Sequence, residues 1–107
     1  MTDRKLLEAA AKAAGIEHPG GEHSIANDGR LWDCNGLRWW NPLTDDGDAL
    51  RLAVKLGLSL GPNFDGELAV CFARQGADFT EEYGSDQYAA TRCAIVRAAA
   101  AIGRKQP

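Results

Sequence analysis

The stretch W-W-N-P-L-T-D-D-G-D-A-L, Trp39–Leu50, closes one structural element, turns a corner and opens another. Leu37–Trp40 carries the large and aromatic side chains that suit a pleated strand. Pro42 stops the ladder, because it has no N–H to give, and it biases Asn41 toward extended backbone. A helix is expected from Thr44 or Asp45 onward. Asp45, Asp46 and Asp48 crowd its first turn, where unpaired N–H groups and the positive dipole end favour carboxylates. Ala49, Leu50, Ala53, Val54 and Leu56 are assigned to its buried side. Gly57 followed by Leu58 supplies a left-handed stop with its apolar contact.

Working toward the N-terminus, Asn35-Gly36 and Asn27-Asp28-Gly29 separate Leu37–Trp40 from Arg30–Cys34 and from a weaker run, Ser24–Ala26. Asn-Gly and Asp-Gly favour the positive φ angles of hairpin turns, so a two- or three-stranded antiparallel meander is expected. Glu17-His18-Pro19-Gly20-Gly21-Glu22-His23 reads as a loop. Before it, Leu6, Leu7, Ala10, Ala13 and Ala14 recur at helical spacing. They predict a helix from an N-cap at Thr2 to about Ala14, ended by Gly15-Ile16 with the same stop as Gly57-Leu58.

Toward the C-terminus, Leu58–Leu60 and Glu67–Arg74 read as strands joined by a loop from Gly61 to Gly66. The run from Leu68 to Ala73 is wholly apolar, as a central strand covered on both faces would be. After Gln75-Gly76, Asp78–Tyr83 reads as a polar edge strand. Ser85 is the expected cap of an Ala-rich helix from Asp86 to about Ile102, with 102–107 a frayed basic tail. The order is α-ββ(β)-α-ββ(β)-α. It predicts one α+β domain over 1–107, a mostly antiparallel sheet flanked by helices in an α-β-α sandwich.

Three stretches carry a resemblance: M-T-D-R-K-L-L-E-A-A-A-K-A-A-G at the start, W-W-N-P-L-T-D-D-G-D-A-L-R-L-A-V-K-L from Trp39 to Leu56, and Y-A-A-T-R-C-A-I-V-R-A-A-A-A-I-G from Tyr88 to Gly103. Together they resemble the phage ABA sandwich domain, a family of small phage and prophage proteins. The resemblance implies helices flanking a sheet and a phage origin, and it implies no mechanism. The loop Glu17–Gly29 and the stretch Gly61–Asp86 fall outside it.

Composition narrows the function classes. The chain has 107 residues, 12 Lys and Arg against 15 Asp and Glu, a net charge of -3 and 45% hydrophobic residues. A general nucleic-acid binder would show a basic face, so direct nucleic-acid binding is not expected. No apolar run reaches the roughly 20 residues of a membrane span. Charged residues stand among Met1–Glu8 where a signal peptide would be apolar, which is read as an intact cytosolic N-terminus; with the phage origin that the resemblance implies, the expected location is the host cytoplasm. Cys34, Cys71 and Cys93 are odd in number and widely spaced, as free thiols in a reducing compartment would be.

Each candidate for chemistry has a plainer explanation. His18 and His23, with Glu17, Glu22 and Cys34, contain metal-ligand types, but two histidines on a glycine loop are ordinarily solvated. Asp45, Asp46 and Asp48 lack the alternating ligands of a calcium loop, and helix capping accounts for them. Cys71 and Cys93 have no neighbouring histidine to act as base, which leaves Cys34 as the thiol expected to react. No catalytic residue, metal or cofactor is therefore assigned.

The tryptophans are more informative. Adjacent strand residues point to opposite faces, so Trp39 and Trp40 divide between two environments or, with helices on both faces, both join the core. The candidate binding surface is Trp32, Arg38, Trp39 and Trp40, together with the acidic Asp78, Glu81 and Glu82; Asp65, Glu67 and Asp86 add to the acidic segment. The expected function is non-enzymatic binding to a host protein or defence complex, specifically inhibition of a bacterial antiviral system in the manner of an anti-CRISPR protein, by a monomer or homodimer. Two alternatives are a small-ligand or metal-binding protein or enzyme with a site near the tryptophans, and a self-associating phage assembly component.

Overall fold

The computed structural model describes residues 3–16, 30–33, 38–62, 68–72, 78–82 and 86–105, with backbone alone for 62, 68–72, 78 and 82. The chain runs α1 (Asp3–Ala14), β1 (Leu31–Asp33), β2 (Arg38–Trp40), α2 (Asp46–Leu56), β3 (Ser59–Pro62), β4 (Leu68–Phe72), β5 (Asp78–Glu82) and α3 (Gln87–Lys105). This is the expected α+β class, with helices flanking antiparallel sheet. Among the described residues the strands form two sheets rather than one: a β1-β2 pair and a three-stranded sheet ordered β3-β4-β5. The expected strand Ser24–Ala26 and both turns of the first meander lie outside the described residues, as do Thr2 and Ser85.

The two glycine stops form as their residues predict. Gly15 sits at φ +72°, and the Ile16 N–H donates to the Ala11 carbonyl at 2.9 Å. Gly57 sits at φ +66°, and the Leu58 N–H donates to the Ala53 carbonyl at 2.9 Å. Both are the six-to-one bond that closes a helix through a left-handed residue. Because Leu58 completes this cap, β3 starts at Ser59 and extends into Gly61 and Pro62, residues expected in a loop. Among the described residues β3 is an edge strand, where a proline's missing donor costs no ladder bond.

The core is built around α3. Leu7, Ala10, Ala11 and Ala14 of α1, Leu31 and Trp40 of the hairpin, Ala49, Leu52 and Ala53 of α2, and Ala94, Ile95, Val96, Ala98 and Ala99 of α3 form one buried cluster. α3 also packs on β3, β4 and β5. A helix with partners on several sides needs small residues all round, which explains its alanine content. α1 and α3 pack in close contact at Gly103, where an added Cβ would lie 1.9 Å from the Ala9 carbonyl oxygen. That contact keeps α3 helical through Lys105 and corrects the expectation of a frayed tail from residue 102. Among the described residues no helix is long and apolar enough to cross a membrane.

The buried side of α2 differs from the one expected. Asp48, Ala49, Leu52 and Ala53 are buried, whereas Leu50 is 59% and Val54 73% exposed. Leu50 lies two residues, about 200° of helix rotation, from Asp48. Once Asp48 is drawn inward, Leu50 and Val54 must face out.

Candidate functional site

The corner Asn41–Asp48 fixes the orientation of everything around it. The Asn41 side-chain oxygen accepts from the Leu43 N–H at 2.9 Å, and its carbonyl accepts from the Thr44 and Asp45 N–H groups. Pro42 is fully buried. Asp45 is the N-cap of α2, accepting from the Asp48 N–H at 2.7 Å.

The two other acids do not cap. Asp46 accepts from Arg92 of α3 at 2.6 Å, while the Arg92 Nε donates to the Leu43 carbonyl at 2.8 Å. Asp48 is buried and accepts from the Asn41 N–H at 3.0 Å, from Arg38 at 3.0 Å and from Arg51 at 2.7 Å. The expectation that all three acids serve helix capping holds for Asp45 alone. The corner is a structural clamp tying β2, α2 and α3 together, and its polar groups satisfy one another.

The clamp positions the hairpin. Its register pairs Leu31 with Trp40, Trp32 with Trp39 and Asp33 with Arg38. Leu31 and Trp40 are buried at 0% and 3% exposure, so Trp40 belongs to the core and is corrected out of the candidate surface. Strand alternation then puts Trp32 and Trp39 together on the opposite face. They are half-buried, with ring centroids 5.3 Å apart at 73° in an edge-to-face pair. The Arg30 guanidinium lies 5.4 Å from the Trp39 ring centroid, within range of a cation–π contact. Arg38 shares the side of Trp40, and its guanidinium is turned to Asp48. It is a clamp residue, and Arg30 takes the place beside the tryptophans.

The acids of the second meander lie on the other sheet, in β5. The Glu81 carboxylate is engaged by α3, accepting from Arg97 and from the Cys93 thiol at 3.5 Å. Asp78 and Glu82 occupy the same strand, described by backbone alone. Asp86 caps α3 through a 3.0 Å bond from the Ala89 N–H. Asp65 and Glu67 lie outside the described residues. The expected surface therefore splits between the hairpin and an edge strand.

Burial, together with the adjacent Glu81 carboxylate, pushes the Cys93 thiol up from an ordinary 9.0 to about 11. At neutral pH it is a protonated packing residue, not a nucleophile. Cys71 is described by backbone alone, and Cys34, His18, His23, Glu17 and Glu22 lie outside the described residues. Among the described residues no three His, Cys, Asp or Glu side chains gather as metal ligands would.

A second surface was not predicted from the sequence. Leu50, Val54, Leu60 and Tyr88 are the exposed large apolar residues among those described, with Tyr88 at 70%. Leu50, Leu60 and Tyr88 line an open groove of about 360 Å³ between α2, α3 and β3, together with the buried Ala49 and Ile95 and the paired Asp46 and Arg92. The sequence did contain a signal: Leu50 and Val54 stand four apart, beside the stripe Ala49, Leu52, Ala53 and Leu56. α2 is thus apolar around more of its circumference than one buried face requires.

No family model matches the chain, and neither the curated proteins nor the solved structures include a match.

Proposed function

We propose that the chain is a non-catalytic binding protein whose anchor toward another protein is the Trp32–Trp39 face of the β1-β2 hairpin. The observation that carries this reading is the division of the hairpin's tryptophans. Trp40 secures the hairpin to the core, while Trp32 and Trp39 stand half-exposed on the other face, with Arg30 stacked on Trp39. Tryptophan and arginine are the residue types most often found at the energetic centres of protein interfaces. A rigid strand pair holds them at little entropic cost on binding.

The specific reading is a small phage-type accessory protein that inhibits a bacterial antiviral system in the host cytoplasm by occluding one of its proteins, as anti-CRISPR proteins do. What supports it is the resemblance in Trp39–Leu56 and at the two ends. In this chain the Asn41–Asp48 part of that motif serves as the clamp orienting the hairpin.

Affinity capture from a phage-infected host extract tests the proposal. The wild-type chain is expected to retain one specific protein in stoichiometric amount, and the Trp32→Ala/Trp39→Ala variant to lose it. Absence of a specific partner, or equal retention by the variant, contradicts the proposal.

A further inference from the structure

We infer that Arg38 is the positioning residue for the tryptophan face: its bond to Asp48 fixes the angle at which the β1-β2 hairpin presents Trp32 and Trp39. The inference rests on the reading of that face as the binding anchor, and its first test needs no partner.

Asp48 grips β2 at two points. One carboxylate oxygen, Oδ2, accepts from the Asn41 N–H at 3.0 Å, and the other, Oδ1, accepts from the Arg38 guanidinium at 3.0 Å. The two residues stand three apart, roughly 10 Å of extended strand, with Trp39 between them. A strand held at one point can pivot, whereas two points on one buried carboxylate set a direction. Leu31 and Trp40 pair at the Asn41 end and enter the core, so they reinforce the first point. Arg38 and its register partner Asp33 form the far end of the described strand pair. A contact between those two would stay within the hairpin and tie it to no helix.

Arg51 separates this role from charge balance. It donates to the same Asp48 oxygen at 2.7 Å, but it stands three residues along the same helix, so its bond neutralises the carboxylate without joining two elements. When Arg38 is removed, Asp48 keeps Arg51 and the Asn41 N–H. What is lost is the tie between β2 and α2. The Arg38 side chain is 47% exposed, so the tie is a modest one whose loss loosens the hairpin and leaves the helical core folded.

Amide hydrogen exchange of the full chain tests this. Arg38→Met is expected to speed exchange at residues 31–33 and 39–40 roughly fivefold relative to the slowest amides of α3. Arg51→Met, which takes the same charge from the same oxygen, is expected to leave that ratio at the wild-type value. Arg38→Lys, which keeps a cation within reach of Asp48, is expected to restore most of it. An unchanged ratio in Arg38→Met, or an equal rise in Arg51→Met, overturns the inference. In capture from infected-host extract, Arg38→Met is expected to retain several-fold less partner than the wild type. Equal retention by a chain whose hairpin has loosened overturns the role in binding. A wild type that retains no partner counts against the tryptophan-face reading, and the exchange ratios decide the role of Arg38 either way.

Discussion

Asp45, Asp46 and Asp48 look alike in the sequence and differ in what surrounds them, so their removal should be graded. Asp48→Ala strands the Asn41 N–H and frees two arginines from a buried carboxylate, a loss of about 2–3 kcal/mol for charge-assisted bonds. Asp45→Ala removes an N-cap and should cost about 1 kcal/mol. Asp46→Ala removes an exposed carboxylate from a largely buried Arg92, which keeps its bond to the Leu43 carbonyl, and should cost about 1 kcal/mol or less. Urea midpoints of the three variants check the order. Equal costs would mean that all three merely decorate the helix start.

Gly103 is the most tightly enclosed of the described glycines, since an alanine Cβ would meet the α1 backbone at 1.9 Å. Gly103→Ala forces the two helices apart and should cost at least the roughly 1–3 kcal/mol typical of overpacking. A differential scanning measurement showing an unchanged midpoint would contradict the close approach.

Cys93 adds a pH dependence. Its folded-state pKa is raised to about 11, so the folded chain keeps the proton that the unfolded chain releases first. The contribution is complete below about pH 9 and lost as pH climbs through about 11. Wild type should therefore lose more stability than Cys93→Ala between these limits, measured by denaturant midpoints at each pH. A parallel decline of the two would remove the effect.

At the scale of elements, the sequence was readable wherever a local rule has no competitor. Gly15-Ile16 and Gly57-Leu58 end helices because left-handed backbone followed by an apolar residue has one common use. Pro42 had to end β2, and Asp45 had to begin α2. The buried side of α2 was not readable in this way. Ala49, Leu52 and Ala53 compete with Leu50 and Val54 for the inside, and the choice is made by a carboxylate whose arginine partner Arg38 lies ten residues away. The same holds for α3. Its cap is Asp86, although Ser85 beside it has the same propensity, and its last turn persists because of a crossing with α1 that no local pattern reveals.

The hairpin shows how far a period-two rule reaches. Alternation required Trp39 and Trp40 to face opposite ways, but which one enters the core depends on the clamp at Asp48. Trp40→Ala should accordingly cost about 3–5 kcal/mol. Trp39→Ala should forfeit the aromatic pair and the Arg30 contact, each about 0.5–1.5 kcal/mol beyond its partial burial. Chemical denaturation of the two variants decides it, and a larger loss for Trp39 would invert the assignment of faces.

At the scale of the molecule, the polar and apolar groups fall into separate tasks. The clamp spends its charges internally, on Asp48, Arg38, Arg51, Asp46 and Arg92. The exposed apolar groups are aromatic on the hairpin and aliphatic on α2. The candidate surface was half legible in the sequence. Trp32 and Trp39 declared themselves by residue type, whereas Leu50, Val54, Leu60 and Tyr88 come together from three elements and read individually as ordinary core residues.

Iodide quenching of tryptophan emission, with and without the captured partner, tests the central claim most directly. For the chain alone, the account predicts two populations: an accessible one that disappears in Trp32→Ala/Trp39→Ala, and a protected one from Trp40. In the complex the accessible population should become protected. Emission already inaccessible in the free chain, or accessibility unchanged on binding, would contradict a tryptophan-anchored contact.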